Sequence, residues 1–224
     1  MLKKIRVVLA WAAFVLMLLA FLDFTGFFSS VFGWIADIQL IPAILALNLI
    51  VVAGLLLLTL LFGRIYCSVI CPMGIFQDFI SWISSKRAAG KACFGYSKEL
   101  KWVRYTVLGI FCITLVAGIP AIYTLIEPYS SFGRIANNLF APVYQGVNNL
   151  YAYVAESIDS YAFYRKEVVI KGIATFVVSA VTLVVIFVLA WKKGRIYCNS
   201  VCPVGTLLGL VSRFSIFRPV LDRS

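Results

Sequence analysis

The sequence predicts an all-α integral membrane domain, with four transmembrane helices in two parallel repeats and short interfacial helices beside them. The first observation is composition: 62% of the 224 residues are hydrophobic and 13% are charged, whereas soluble domains are about half apolar and about a quarter charged. The second is the presence of four apolar runs of bilayer length. The third is a motif that occurs twice. We therefore expect residues 1–224 to form a single membrane domain.

The apolar runs predict the membrane-spanning helices. Each is close to the roughly 20 apolar residues that a helix needs to cross the hydrocarbon core. Ile75–Ser85 has apolar residues at helical spacing and is predicted to lie in the interface, with Trp82 as its anchor. The longest connection, Glu127–Glu167, is predicted to form a short domain or interfacial helices. The predicted spans are Val7–Phe24, Ile41–Phe62, Tyr105–Leu125 and Val168–Trp191.

The basic residues predict the orientation. Lysine and arginine cluster at the start of the chain, in the loop Lys86–Arg104 and in the tail, which is typical of cytoplasmic segments. Four spans then place both termini and both motifs on the cytoplasmic side of a bacterial-type cytoplasmic membrane. The net charge of +11 thus indicates contact with membrane lipid, and we expect no nucleic-acid partner. The chain has no histidine, which excludes the usual haem ligand.

The repeated motif reads GRIYC-x-x-x-C-P-x-G and occurs at Gly63–Gly74 and Gly194–Gly205. A second element, FG-x-IA, occurs at 32–36 and 132–136. Parallel repeats are related by an axis along the membrane normal. We therefore expect the two motifs to face each other at the same depth.

The duplication predicts the domain organisation. Repeat one is expected to cover 1–85 and repeat two 98–215, with an insertion within 143–193. Each repeat begins with a basic segment and contains two spans, the outer FG-x-IA element and the motif.

The cysteines of the two motifs are predicted to hold one metal centre. Thiolates bind iron–sulfur clusters and zinc, and a C-x-x-x-C spacing on a helix puts both sulfurs on one face. Cys112, inside a predicted span, is expected to fill the core, and Cys93 to be a free thiol. The predicted ligands are Cys67, Cys71, Cys198 and Cys202.

The residues around these cysteines support a metal site. Pro72 and Pro203 are expected to begin new helices, which leaves the second cysteine of each motif at an N-cap, where the helix dipole stabilises a thiolate. The glycine two residues after each proline is expected to keep the turn thin. Arg64 and Arg195 add positive charge that would stabilise a reduced cluster, although both would serve equally as lipid-headgroup anchors.

Four further side chains have open roles. Tyr66 and Tyr197 are interpreted as aromatic residues of the membrane interface. Asp23 and Glu127 are predicted to lie near the outer ends of spans. They are either carboxylates at headgroup level or groups that handle protons or quinol.

At these residues the chain resembles the membrane-bound polyferredoxins of the NapH, NosR and CcoG type, which have paired C-x-x-x-C-P motifs after transmembrane helices. The resemblance implies that the four motif cysteines bind an iron–sulfur cluster of the 4Fe-4S type. It also implies electron transfer between a membrane donor such as quinol and a ferredoxin-like or flavin carrier, or a fused ferredoxin segment. Such proteins usually continue into that segment. This chain is therefore expected to be a fragment or a short member that uses a separate ferredoxin.

The residues alone leave other functions open. Four cysteines could hold a structural zinc ion in a membrane scaffold protein, and the parallel repeats could belong to a transporter with Asp23 and Glu127 as its coupling groups. No residue indicates bond-making chemistry. The chain is thus predicted to be an electron-transfer component of an oxidoreductase system.

Overall fold

The computed structural model describes residues 2–23, 30–31, 33–87, 101–156 and 172–217. Within these ranges the chain is all-helical, without a strand, as predicted. Several predicted features lie wholly or partly outside them: Phe24 and Phe32, the part of the basic loop that contains Cys93, the end of the connection Glu127–Glu167, the first residues of the predicted fourth span, and the basic tail after Phe217.

Six helices of the first half of the chain are described with both of their ends, and residues 30–31 are helical as well. The predicted first span coincides with the first of them, and the predicted helix Ile75–Ser85 lies within the sixth. The helices are α1 (Leu2–Leu22), α2 (Trp34–Asp37), α3 (Leu40–Leu45), α4 (Leu49–Phe62), α5 (Tyr66–Val69) and α6 (Pro72–Arg87).

The second half contains α-helices and shorter turns of π and 3₁₀ helix. The α-helices are α7 (Lys101–Val116), α8 (Pro120–Ile126), α9 (Pro128–Ile135), α10 (Ala141–Glu156), α11 (Ile173–Lys193) and α12 (Pro203–Val211). The turns are the π-helical Ala136–Phe140 and Tyr197–Val201 and the 3₁₀ turn Ser212–Phe214.

Two described segments are long and apolar enough to cross a membrane, Lys4–Leu22 of α1 and Ile173–Lys193 of α11. The predicted second span is instead divided between α3 and α4. Leu47 between them has a positive φ of 53°, and the Asn48 side chain accepts a hydrogen bond from the Val51 N–H at 3.3 Å. This N-cap begins a new helix inside the apolar run.

The predicted third span is divided as well. α7 ends at Val116, Gly118 adopts a positive φ of 68°, and α8 begins at Pro120. The Phe111 and Tyr123 rings on either side of the turn meet edge to face at 6.5 Å, so α8 folds back along α7. Hydropathy counts apolar residues and does not register such turns, so the prediction of four continuous spans is not confirmed.

The described part of the predicted connection Glu127–Glu167 forms one long helix that contains a π-helical turn, and residues 157–167 lie outside the described ranges. α9, the first π-helical turn and α10 follow one another without a break from Pro128 to Glu156. This helix packs against α1, α6 and α11, and Asn138 Nδ2 donates to Ser179 Oγ of α11 at 3.2 Å. In this repeat the FG-x-IA element is part of the helix, and Phe132 is fully buried.

The core of the helical bundle lies at the two motifs, and the outside is apolar. The buried cluster includes all four motif cysteines and both motif tyrosines. Large apolar side chains are exposed along α1, α10 and α11, among them Val8, Leu150 and Val184. Soluble monomers rarely expose contiguous apolar surface on this scale, so the surface indicates membrane association.

Candidate metal centre

Both copies of the motif have the same local structure. Gly63 is the C-cap of α4, and Gly194 is the C-cap of α11. α6 and α12 begin at Pro72 and Pro203, as predicted. Each motif therefore connects the end of a long apolar helix to the first turn of the next helix.

The two cysteines of a copy do not share a helix. Cys67 lies in α5 and Cys198 in the π-helical turn Tyr197–Val201. The N–H of the second cysteine closes a turn onto the carbonyl of the motif tyrosine, at 3.0 Å in the first copy and 2.9 Å in the second. The prediction of two sulfurs on one helical face is therefore wrong, because the helix ends before the second cysteine.

The second cysteine of each copy precedes the first residue of the following helix. Cys202 is the N-cap of α12, and its Sγ accepts a hydrogen bond from the Gly205 N–H at 3.3 Å. In the first copy the backbone carbonyl of Cys71, which directly precedes α6, accepts a hydrogen bond from the Ile75 N–H at 3.2 Å. The predicted N-cap position is confirmed, and the partial positive charge of a helix N-terminus favours a thiolate there.

The fold buries the four cysteines together. Cys67 and Cys198 are each 7% exposed, and Cys71 and Cys202 are each 3% exposed. Burial raises the pKa of Cys198, and the nearby Cys71 and Cys67 of the other copy raise it further. Burial and then Cys67 raise the pKa of Cys71 to about 12. The metal-free thiols thus hold their protons at neutral pH, so metal binding has to displace them.

The chemistry of the four cysteines fits an iron–sulfur cluster. They belong to one buried cluster of side chains, and thiolates are the usual ligands of a 4Fe-4S cluster and also bind zinc. Within the described ranges no group of three or more His, Cys, Asp or Glu side chains lies close enough together to hold one metal ion.

The motif arginines link the two copies reciprocally. Arg64 Nη1 donates to Asn199 Oδ1 at 2.8 Å, and Arg195 Nη1 donates to Ser68 Oγ at 2.9 Å. Ser68 and Asn199 occupy the same motif position, directly after the first cysteine. Each arginine therefore crosses to the same place in the other copy, as expected for two repeats that face each other.

Asp78 of α6 is a site residue that sequence reasoning missed. Arg195 donates to both carboxylate oxygens of Asp78 through Nε and Nη2. At the motif offset of 131 residues, its counterpart is Gly209. A Cβ at Gly209 would lie 2.4 Å from Arg104 Nη2 and 2.6 Å from Arg64 Nη2. In the second copy two arginine side chains therefore lie against the position that corresponds to Asp78. The sequence feature that could have identified Asp78 is its position as a single acid within the apolar helix after the first motif.

The motif tyrosines are buried structural anchors, so their prediction as interface aromatics is wrong. Tyr66 OH donates to Gln39 Oε1 at 2.7 Å and accepts from the Leu40 N–H at 3.2 Å. Tyr197 OH donates to Ile126 O at 3.1 Å. Tyr66 thus links the first motif to the start of α3, and Tyr197 links the second motif to the end of α8.

Two further predictions change in the structure. Glu127 is 3% exposed and lies close enough to Cys71 to raise the pKa of that thiol slightly. It is therefore a buried group near the site, and its two predicted roles stay open. Cys112 is exposed on α7, so it does not fill the core.

Comparison with known proteins supports a 4Fe-4S site. Residues 44–89 and 175–221 each match the sequence pattern of a 4Fe-4S binding domain. Each match contains one copy of the motif, so the internal repeat is confirmed. The cofactor that these domains indicate is a 4Fe-4S cluster.

The chain is also similar to two longer proteins. It is 29% identical over 156 residues to the methylamine utilization ferredoxin-type protein MauN of Paracoccus denitrificans (strain Pd 1222), over 70% of this chain and 41% of that protein. It is 25% identical over 183 residues to the putative electron transport protein YccM of Escherichia coli (strain K12), over 80% of this chain and 42% of that protein.

The chain thus spans about two fifths of the length of both relatives. No solved structure matches it. The finer assignment to the NapH, NosR and CcoG type stays a prediction. The comparisons therefore show two segments similar to a 4Fe-4S binding domain, one at each copy of the motif.

Proposed function

We propose that Cys67, Cys71, Cys198 and Cys202 hold one shared 4Fe-4S cluster in a membrane-embedded electron-transfer protein. Electrons pass between a membrane donor such as quinol and a soluble ferredoxin-like or flavin carrier, or a fused ferredoxin segment. The observation that carries this proposal is the convergence of both motifs on one buried space, with their arginines crossed between them.

The residues around the site suit one-electron chemistry. A bound 4Fe-4S cluster supplies reversible one-electron transfer. Burial of the four cysteines excludes water, and the first turns of α6 and α12 direct partial positive charge toward Cys71 and Cys202. Arg64 and Arg195 add full positive charges beside the site, which favours the more negative, reduced state.

We propose further that the chain lies in a bacterial-type cytoplasmic membrane as one domain of two repeats, with both termini and both motifs cytoplasmic. The proposal is supported by the placement of basic groups near one end of the bundle. Arg87 lies over the Trp191 ring at 5.8 Å, and the Ser84 hydroxyl donates to Trp191 O at 3.0 Å. The ends of α6 and α11 are therefore adjacent, and Lys86, Lys192 and Lys193 are exposed there.

Anaerobic purification with iron and sulfide assays and an EPR spectrum tests the shared cluster. One 4Fe-4S cluster gives brown protein with about four iron and about four sulfide per chain. Two clusters would double both values, and a zinc scaffold would give colourless protein without sulfide. If the protein contained no cluster and moved a substrate across the membrane of vesicles, the result would favour a transporter.

Neutralising Asp78 should raise the midpoint potential of the cluster. Asp78 is close enough to Cys198 to raise the pKa of that thiol, so its charge also opposes reduction of a nearby cluster. We expect the Asp78→Asn variant to shift the potential upward by tens of millivolts, since a factor of ten in a one-electron equilibrium corresponds to about 59 mV. EPR-monitored redox titration measures the shift.

The matched control is Glu156→Gln, which removes the same charge from an exposed residue at the end of α10. Its potential should equal that of the unmodified chain. An unchanged or lower potential in Asp78→Asn, with the iron content intact, would contradict the electrostatic role of Asp78.

Docking of an acidic carrier should depend on salt. The predicted docking face contains Arg64, Lys86, Arg87, Lys192, Lys193, Arg195 and Arg213. Opposite charges accelerate encounter, and salt screens them. We expect the rate of cluster reduction by an acidic ferredoxin to fall with ionic strength. Reversing Lys192 and Lys193 to glutamate should lower the rate at low salt by about tenfold.

Charge reversal at Glu156, at the far end of the helix that begins at Pro128, serves as the control and should leave the rate unchanged. Stopped-flow absorbance in detergent measures the rate of cluster reduction for the unmodified chain, the double lysine variant and the Glu156 variant. A rate indifferent to salt and to both lysines would indicate that these charges meet only anionic lipid.

A further inference from the structure

One arginine occupies the same place in both repeats, at the end of the basic segment that begins each of them. The two segments read LKKIR and LKWVR, and they end at Arg6 of α1 and Arg104 of α7. In the first copy Arg6 lines a cavity together with Asp78 and Arg195, and Arg195 reaches this place from the second motif. The first copy therefore has two arginines beside one carboxylate.

The second copy has the same arrangement without the carboxylate. Arg64 reaches it from the first motif, and the residue that corresponds to Asp78 is Gly209. The Nη2 atoms of Arg104 and Arg64 both lie against this glycine, 2.4 Å and 2.6 Å from the place of a Cβ. The two guanidinium groups are therefore neighbours. The repeat position that holds a carboxylate in the first copy holds no side chain in the second.

The two corresponding arginines also differ in burial. Arg6 is exposed on α1, whereas Arg104 is only 3% exposed. Water and dissolved ions screen an exposed charge, and they screen a buried charge much less. The charge of Arg104 therefore acts on its surroundings more strongly than the charge of Arg6 does.

Hydrogen bonds link Arg104 to a proposed cluster ligand. Arg104 Nη2 donates to Thr206 O at 3.3 Å. The N–H and the Oγ1 of Thr206 each donate to Cys202 O at 3.0 Å. A single residue of the first turn of α12 thus separates the guanidinium group of Arg104 from Cys202. A change in charge at the site is therefore close enough for the guanidinium group to stabilise.

We propose that Arg104 is a positioning residue of the electron-transfer site on which this inference rests: it holds the Cys202 turn through Thr206, and its buried charge beside Arg64 stabilises the reduced state. Like charges held side by side repel each other, and negative charge gained by the adjacent site offsets that repulsion. In the first copy Asp78 already compensates the charge of Arg195. The charge gained on reduction is therefore stabilised mainly from the side of the second copy.

Redox titration of the purified chain, monitored by EPR, tests the charge of Arg104. Arg104→Gln removes this charge and should lower the midpoint potential by about 59 mV, which is a factor of about ten in the one-electron equilibrium. Arg104→Lys keeps the charge and should keep most of the potential. Arg6→Gln is the matched control, because it removes an exposed charge from the corresponding place in the first repeat. Its shift should be clearly smaller.

A second pair of variants keeps the proposal testable if Arg104→Gln loses its cluster. Gly209→Asp places a carboxylate at the position that corresponds to Asp78 and should lower the midpoint potential. Gly209→Asn adds a side chain of the same size without the charge and should leave the potential unchanged. The atoms closest to the new Cβ belong to the ends of two arginine side chains, which can move aside.

Three results would overturn the inference in proteins that keep their iron. The first is a potential in Arg104→Gln equal to that of the unmodified chain. The second is an equal shift in Arg104→Gln and Arg104→Lys, which would indicate a role in packing alone. The third is an equal potential in the two Gly209 variants. Iron and sulfide assays of the unmodified chain test the proposed function separately, because they do not depend on any of these substitutions.

Discussion

Replacing Cys67 or Cys198 with serine should remove most of the iron from the chain. Each residue belongs to a different copy of the motif, and each is buried with the cysteines of the other copy. A cluster with four thiolate ligands cannot be completed by the two cysteines of one motif. Loss of either ligand therefore empties the whole site. Iron and sulfide assays on anaerobically purified variants measure the effect.

Cys112→Ser is the control for this experiment, because Cys112 is exposed on α7 and outside both motifs. It should keep its full iron content. If the Cys67 and Cys198 variants each kept about half of the iron, the motifs would hold separate centres and the shared site would be wrong.

Replacing Gly74 or Gly205 with alanine should destabilise the protein and empty the site. A Cβ at Gly74 would lie 2.0 Å from Cys67 O, and one at Gly205 would lie 2.2 Å from Cys198 O. Both contacts are with backbone, so neither neighbour can rotate away. Overpacking of this kind costs about 3 kcal/mol. Thermal unfolding in detergent and iron content measure the two effects.

Gly54→Ala in α4 is the matched control and should have the opposite sign. A Cβ at Gly54 would meet nothing within 4 Å. Alanine in a helix interior is more stable than glycine by about 0.5–1 kcal/mol, so this variant should unfold at a slightly higher temperature and keep its iron. Equal behaviour of Gly74→Ala and Gly54→Ala would contradict the close approach of α6 to the motif backbone.

The local features of the site could be predicted because they depend on neighbours in the chain. Proline at a helix start and cysteine at the preceding N-cap follow from backbone geometry, and the structure has both at Pro203 and Cys202. The duplicated motif likewise indicated two equivalent halves. The reciprocal links of Arg64 and Arg195 agree with that symmetry.

The breaks within the predicted second and third spans were harder to predict from the sequence. Asn48 and the sequence Gly118-Ile119-Pro120 are turn signals, yet each lies in a run whose hydropathy satisfies a spanning helix. The features that break each run are local: the positive φ of Leu47 and of Gly118, and the N-cap hydrogen bond of Asn48. Apolar composition alone does not reveal them.

The sequence by itself determined the donor atoms, their spacing and the glycines that allow the backbone to approach them. Only the tertiary structure decided which side chains surround the site. It placed Asp78 on Arg195 across 117 positions, buried Glu127 near Cys71 and left a cavity of about 680 Å³ between α1 and α6 beside Ser68. The physical reason is that spacing sets contacts within a turn of helix, whereas contacts between distant residues depend on how the helices pack.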